Sequence, residues 1–236
     1  MHLQPSLDHA ESYLNIQLSR SGHGPLSTPV GPFVTVSREA GAGGSTYAQL
    51  LATRLDELLP GETPWTVFDR NLVETVLQSE HLSPQLARFL PEDKVSEIDA
   101  SIGELLGLHP NLWSLTQRTN DLMRELARVG HVILVGRGAN CATEHVANGL
   151  HVRLVASPAY RCNHIGRELN VLPAEAVNVL VRTDAARRSY VRSVFQTEIT
   201  RADGYDVVFN VGTLALEQLV EVTSSLLCSR VGAMAH

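Results

Sequence analysis

Lysine is the first thing missing. The 236-residue chain carries one, Lys94, against eighteen arginines, and it lies in a polar segment remote from any glycine turn, so any cation directed at phosphate must be a guanidinium. Cysteine is scarce as well. Cys141, Cys162 and Cys228 are not in C-x-x-C spacing, which excludes a disulfide framework or a zinc site of that kind and fits a reducing cytoplasm. No apolar run approaches the roughly 18 residues that span a bilayer. The N-terminus, MHLQPSLDHAESYL, lacks a basic region followed by an apolar stretch, so neither a targeting signal nor a membrane partner is expected. The ten histidines include no HxxxH or HExxH pair, and no metal site built from protein ligands is expected. A net charge of −6 argues against broad attraction to nucleic acid. A composition of 44% hydrophobic and 19% charged residues is that of a soluble globular protein with one α/β domain.

What is present is organised around residues 34–46, VTVSREAGAGGST. The β-branched residues Val34, Thr35 and Val36 suit a buried strand. Gly41, Gly43 and Gly44 let backbone N–H groups converge, and Tyr47, Leu51, Leu55 and Leu58 recur at helical spacing. Strand, glycine loop and helix form a phosphate-cradle layout. The loop nevertheless departs from GxxxxGK(S/T). With the second glycine on Gly43, Arg38 occupies the first glycine's place, Gly44 the lysine's and Ser45 the hydroxyl's.

The remaining chain reads as strands alternating with helices. Residues 6–20 predict an amphipathic helix, with Ser6 as N-cap and Leu7, Ala10, Leu14 and Leu18 on one face. The Gly/Pro/Ser-rich stretch 21–32 is a linker. Residues 1–30 are therefore an N-terminal arm that docks on the domain or on a second copy of the chain, and residues 31–230 are the main domain. The loop helix should stop at Pro60-Gly61. Trp65–Phe68 is a second strand, followed by Asp69, Arg70 and Asn71 at a strand end, where ligands of open α/β sheets gather; Asp69 is the N-cap of the next helix, a group that holds an acceptor, or both. Residues 82–128 are a helical, mostly polar insertion. Its Leu115, Leu122, Leu126 and Val129 suit packing, while Gln117, Arg118, Asn120, Asp121 and Arg124 read as a solvated face.

His131–Val135 is a third strand and ends in Gly136-Arg137-Gly138. A guanidinium between two glycines after a buried strand is poorly explained by packing and well placed to grip phosphate. A fourth strand covers 151–156, a fifth covers 206–210, and Leu214, Leu216, Leu219, Val220, Val222 and Leu226 give the closing helix an apolar side. Between Arg161 and Arg192 the arginines are dense. Arg182, Arg187 and Arg188, with Asp184 and Tyr190 beside them, are either a preferred surface base or part of a lid over residues 158–195 that closes on phosphate. Alternating strands and helices imply a parallel sheet covered on both sides.

SREAGAGGS, the FDR triplet ending at Arg70, VGRGAN, RTDAARRSYVRSVF and YDVVFN occur in an order that resembles the cytidylate kinase-like family of P-loop proteins, over roughly residues 32–227. The resemblance implies a P-loop three-layer α/β sandwich with a five-stranded parallel sheet of order 2-3-1-4-5 and a helical lid. It also implies transfer of the γ-phosphate of ATP, with Mg2+, to a nucleoside monophosphate or related small phosphorylated acceptor. On this reading Gly41, Ala42, Gly43, Gly44, Ser45 and Thr46 hold the donor, and Ser45 reaches the magnesium. Asp69, Arg70 and Arg137 hold the acceptor, while Arg38, Arg182, Arg187 and Arg188 supply the catalytic charge. Relatives share the SR-x-x-G-x-G-G pattern, so the missing lysine does not mark the chain as inactive. Val135 stands where true cytidylate kinases carry an acidic residue, which leaves open a kinase of another metabolite or a nucleotide-binding regulatory module.

Overall fold

The computed structural model describes residues 31–60, 64–69 and 110–234. The strands are β1 (Phe33–Arg38), β2 (Thr66–Asp69), β3 (Val132–Val135), β4 (Gly149–Val155) and β5 (Val207–Asn210). The helices are α1 (Gly44–Leu58), α2 (Pro110–Val129), α3 (Ala139–Ala142), α4 (Pro158–Leu169), α5 (Pro173–Phe195) and α6 (Leu216–Met234). The five strands pair in the order β2-β3-β1-β4-β5, and every pairing is parallel. Sheet order and strand count agree with the expectation. The arm, residues 1–30, and residues 82–109 of the insertion lie outside the described residues.

The centre of the sheet follows from the apolar strands. Phe33, Val34 and Val36 of β1 and Val132, Ile133, Leu134 and Val135 of β3 are all buried, as strands covered on both faces must be. On one face Val34, Val36, Ile133, Leu150, Val152 and Leu154 pack with Tyr47, Leu51 and Leu55 of α1 and Leu219, Val220 and Leu227 of α6. On the other, α2 packs against β3 and α3 against β1.

Three helix faces differ in detail from the sequence pattern. Leu58, in the last turn of α1, is 39% exposed, and Leu59 packs on the core in its place. Leu214, which precedes α6, is exposed, and on α6 Val222 and Leu226 are exposed, whereas Leu219, Val220, Thr223 and Leu227 are buried. Those four positions, at i, i+1, i+4 and i+8, share the stripe that meets α1, and Tyr47 Oη bonds Thr223 Oγ1 across it at 2.6 Å. Asn120, expected on a solvated face, is buried. It shares one side of α2 with Thr116, Met123 and Ala127, which are also buried. Gln117 and Asp121 are exposed as read.

The arginine-dense stretch resolves into two helices. Ser157 caps α4 by accepting from Tyr160 N–H at 3.3 Å, with Pro158 in its first turn. Asn170 closes α4 in the left-handed region at φ 52°, and Pro173 starts α5.

Candidate phosphate-binding site

The glycine loop joins β1 to α1 at the carboxyl edge of the sheet. Its rear is held rigidly. Glu39 N–H donates to Leu154 O at 3.0 Å, and its carboxylate accepts from Ala156 N–H at 3.2 Å and pairs with Arg161 Nε at 3.3 Å. Gly41 adopts φ 74°, and a Cβ there would lie 2.5 Å from Arg161 O, so both conformation and space demand glycine.

The front of the loop is built differently. Gly43, at φ 70°, is the N-cap of α1; among the described residues no side chain caps the helix, and no acidic residue occupies its first turn. The first intrahelical bond is Tyr47 N–H to Gly43 O at 2.9 Å. The amides of Gly44, Ser45 and Thr46 are therefore in the position where a helix leaves its N–H groups without intrahelical partners and its dipole favours an anion. Ser45 and Thr46 are exposed there, while Ala42 is buried, so the hydroxyls face outward and the alanine methyl packs.

Arginines converge on the same place. Arg38 lies across the start of α1: a Cβ on Gly44 would stand 2.8 Å from Arg38 Cγ and 3.1 Å from its Cδ. Burial pushes the Arg38 guanidinium down to about 9, and the nearby charges of Arg187 and Arg137 act in the same direction against the opposing carboxylate of Asp69. Arg187 is likewise lowered, first by burial and then by Arg153 and Arg161, with Asp184 opposing. At about 9, Arg38 remains a cation at neutral pH. Burial disfavours the charged form of both arginines, and an added anion would favour it.

Helix α5 reaches both sides of this cluster along one face. Asp184 Oδ1 accepts from Ala40 N–H at 2.8 Å, and Arg187 Nη1 donates to Arg38 O at 2.9 Å. Tyr190 lies under the Arg137 guanidinium, 4.6 Å from ring centroid to Cζ, and Phe195 meets Gly138, whose Cβ would fall 2.4 Å from Phe195 Cε2. Arg137 also borders a crevice with Asp69, Gly136 and Val135, floored by Phe68, Leu134 and Met123. One turn from Met123, the Oδ1 of Asn120 is buried without a hydrogen-bond partner among the described residues.

Of the residues selected from sequence, Arg38, Gly41–Thr46, Asp69, Arg137 and Arg187 are thus brought together. Arg182 and Arg188 are exposed; Arg182 lies on the side of α5 opposite Ala176, Leu180 and Val191, the helix's buried residues. Arg70 lies outside the described residues. Glu39 pairs with Arg161.

Sequence reasoning missed three polar groups. Arg161 and Asp184 form an ion pair at 2.5 Å, their side chains only 7% and 12% exposed. Arg153, buried in β4, donates to Ser37 Oγ at 3.0 Å and lies 5.5 Å from the Tyr205 ring centroid. The charge inside HVRLV was a signal for Arg153. Nothing local marks Asp184 as the partner of Ala40, 144 positions away. Among the described residues no group of three or more His, Cys, Asp or Glu side chains could hold a metal, and no helix is long and apolar enough to cross a membrane.

A parallel sheet of order 2-3-1-4-5 with an uncapped helix behind a glycine loop on its first strand defines a P-loop α/β protein. The chain belongs to the cytidylate kinase-like family, whose model matches residues 33–213. The fold is shared with an uncharacterized protein from Eubacterium ventriosum (TM-score 0.63, 16% identity, 84% of this chain and 98% of that one). A shikimate kinase from Bacteroides thetaiotaomicron gives a TM-score of 0.46 at 16% identity over 83% of this chain and 98% of that one. A uronate isomerase from Corynebacterium glutamicum is 23% identical over 124 residues, 52% of this chain. The match spans 24% of that relative's length.

Proposed function

We propose that the protein transfers the γ-phosphoryl group of ATP, with magnesium, to a nucleoside monophosphate of the cytidylate kind or a related small phosphorylated acceptor. The observation that carries this reading is the uncapped start of α1, with Arg38 lying across Gly44 and Arg187 and Arg137 in the same electrostatic field. Phosphoryl transfer asks chiefly for positioning and charge stabilisation, and that arrangement offers both. Gly41–Thr46 receive the donor phosphates. Magnesium, when bound with the donor, neutralises phosphate charge; the exposed hydroxyl of Ser45 is the group of this chain suited to reach it.

Removal of one well-placed transition-state donor costs about 10²–10³ in rate, so the missing lysine must be offset. Arg38 and Arg187 are the groups that do so, each with a fork able to bond two phosphate oxygens. Arg182 and Arg188, exposed on α5, join only if the helix or their side chains move when the site fills. Arg137 and Asp69 border the crevice beside the loop and take the acceptor, with Arg137 on its phosphate; Arg70 remains an acceptor-side candidate from its sequence position.

A second reading, a nucleotide-binding regulatory module without transfer, is favoured by the absent lysine and by Arg38 being already packed on the helix start. A kinase of a non-nucleotide metabolite draws on Val135 at the acceptor strand. A coupled assay of ADP formation from Mg-ATP with CMP, dCMP, UMP, AMP and GMP separates these readings. Acceptor-dependent ADP with one of the five supports nucleotide phosphorylation. Saturable Mg-ATP binding with no acceptor-dependent ADP contradicts it.

A further inference from the structure

The glycine loop divides into a rear that is pinned and a front that is open, and the pinning converges on one residue. Ala40 N–H donates to Asp184 Oδ1 at 2.8 Å, and Ala40 O accepts from Arg161 Nη1 at 3.2 Å. Arg161 Nη1 and Asp184 Oδ2 lie 2.5 Å apart, closing a ring around both ends of the residue. Arg161 is fixed in turn by Ala156 O at 3.1 Å and Glu39 at 3.3 Å, and its own carbonyl abuts Gly41. Arg187, one turn beyond Asp184 on α5, holds Arg38 O. By contrast, the cradle beginning at Gly43 has no side-chain cap.

A buried ion pair is a poor way to gain stability, because desolvating two charges offsets most of their attraction. This pair achieves something an apolar pair of the same volume would not: it offers one acceptor and one donor to the backbone of a single residue, and so holds the two peptide groups that flank it. We propose that Asp184 and Arg161 are positioning residues that clamp the Ala40 backbone at its N–H and its C=O, fixing the amides of residues 41–46 for an incoming polyphosphate and tying that geometry to the docking of α5. A preorganised cradle avoids the ordering cost on binding that a loose loop must meet. The inference rests on reading residues 41–46 as the donor site.

The test compares wild type with Asp184→Ala and Asp184→Asn, the latter keeping an oxygen for Ala40 N–H while removing the charge that faces Arg161. Two quantities are read: ligand-free exchange of the hydrogen-bonded loop amides, Ala40, which donates to Asp184, and Ala42, which donates to Glu39 O at 3.2 Å, and the dissociation constant of Mg-AMP-PNP by calorimetry. For Asp184→Ala, exchange at least tenfold faster in the loop, with strand β1 unchanged, and nucleotide binding at least tenfold weaker are expected. Asp184→Asn should fall between it and wild type in both. Loop exchange within threefold of wild type in Asp184→Ala overturns the clamp even if nucleotide binds normally. If that variant does not fold, wild-type loop exchange in Asp184→Asn overturns it equally. Failure of wild type to bind Mg-AMP-PNP overturns the donor-site reading instead, and the ligand-free exchange still decides the clamp.

Discussion

Replacing each loop glycine by alanine should give three different results, and the structure sets their order. Gly43 sits at φ 70°, and its added methyl would find only Leu216 Cδ1 at 3.7 Å, an ordinary contact. The cost of Gly43→Ala is then the left-handed backbone alone, about 1–2 kcal/mol. Gly41 bears the same conformational cost at φ 74°, but its methyl would lie 2.5 Å from the carbonyl oxygen of Arg161 and 3.0 Å from Ile165 Cγ1. The carbonyl belongs to helix α4 and cannot swing aside, so an overpacking cost of about 1–3 kcal/mol is added. Gly44 has no such backbone demand, and its methyl would meet only the stem of Arg38, at 2.8 Å. In a domain of this size 1 kcal/mol corresponds to roughly 2–4 °C in Tm. Thermal unfolding followed by circular dichroism should therefore show Gly43→Ala down by about 2–8 °C and Gly41→Ala down by about 4–20 °C, the larger drop of the two. Gly44→Ala should stay near wild type while weakening Mg-AMP-PNP binding by displacing Arg38. Equal losses at 41 and 43, or a larger one at 43, would refute the account of how α4 buttresses the loop.

Further outcomes follow from the charges. Arg38→Met keeps the stem over Gly44 but removes a guanidinium destabilised by burial and by Arg187 and Arg137; ligand-free Tm should hold or rise, while calorimetry should show Mg-AMP-PNP bound at least tenfold more weakly. A ligand-free Tm that falls by more than 4 °C would show that the charge is compensated. Arg137→Ala should raise the acceptor's KM tenfold or more and leave the Kd of Mg-AMP-PNP within threefold, and a reversed pattern would move Arg137 to the donor. His151 bonds Thr35 Oγ1 at 2.8 Å, and burial lowers its pKa below 6.5 against the pull of Asp206, with Arg230 reinforcing the shift. Such a group stays neutral in the fold, so as pH falls below 6.5 the unfolded chain takes up a proton that the native state resists. Stability should then fall between pH 7 and 5, by at most about 1.4 kcal/mol per pH unit for each such group. Urea titrations of His151→Gln should show a flatter decline, not an absent one, since burial lowers His131 as well; an unchanged slope would exclude His151 as a source.

The sheet was legible because its determinants are local. The β-branched run before Gly41 and the apolar run His131–Val135 each announce a buried strand, and the alternation with helices leaves few parallel topologies. The helix faces were read less well where apolar residues exceed what one stripe can bury. On α6, Val222 and Leu226 look as suitable as Leu219 and Leu227, and only the position of α1 decides between them. The site was legible as an inventory and not as an arrangement. Gly41–Thr46 and Arg137 stand out by spacing and by their glycine neighbours. By contrast, Arg182, Arg187 and Arg188 are alike in sequence, and the buried face of α5 is what separates Arg187 from the others. Asp184 was visible only as one more charge among arginines. Its meaning comes from a contact with Ala40 across 144 positions, which no local pattern encodes.

The central claim, that this lysine-free loop still receives the donor's phosphates, is tested most directly by amide exchange of wild-type protein with and without saturating Mg-AMP-PNP. The account predicts at least tenfold slower exchange at Gly43–Thr46. Saturable binding that leaves those amides unchanged and protects another part of the chain would contradict it.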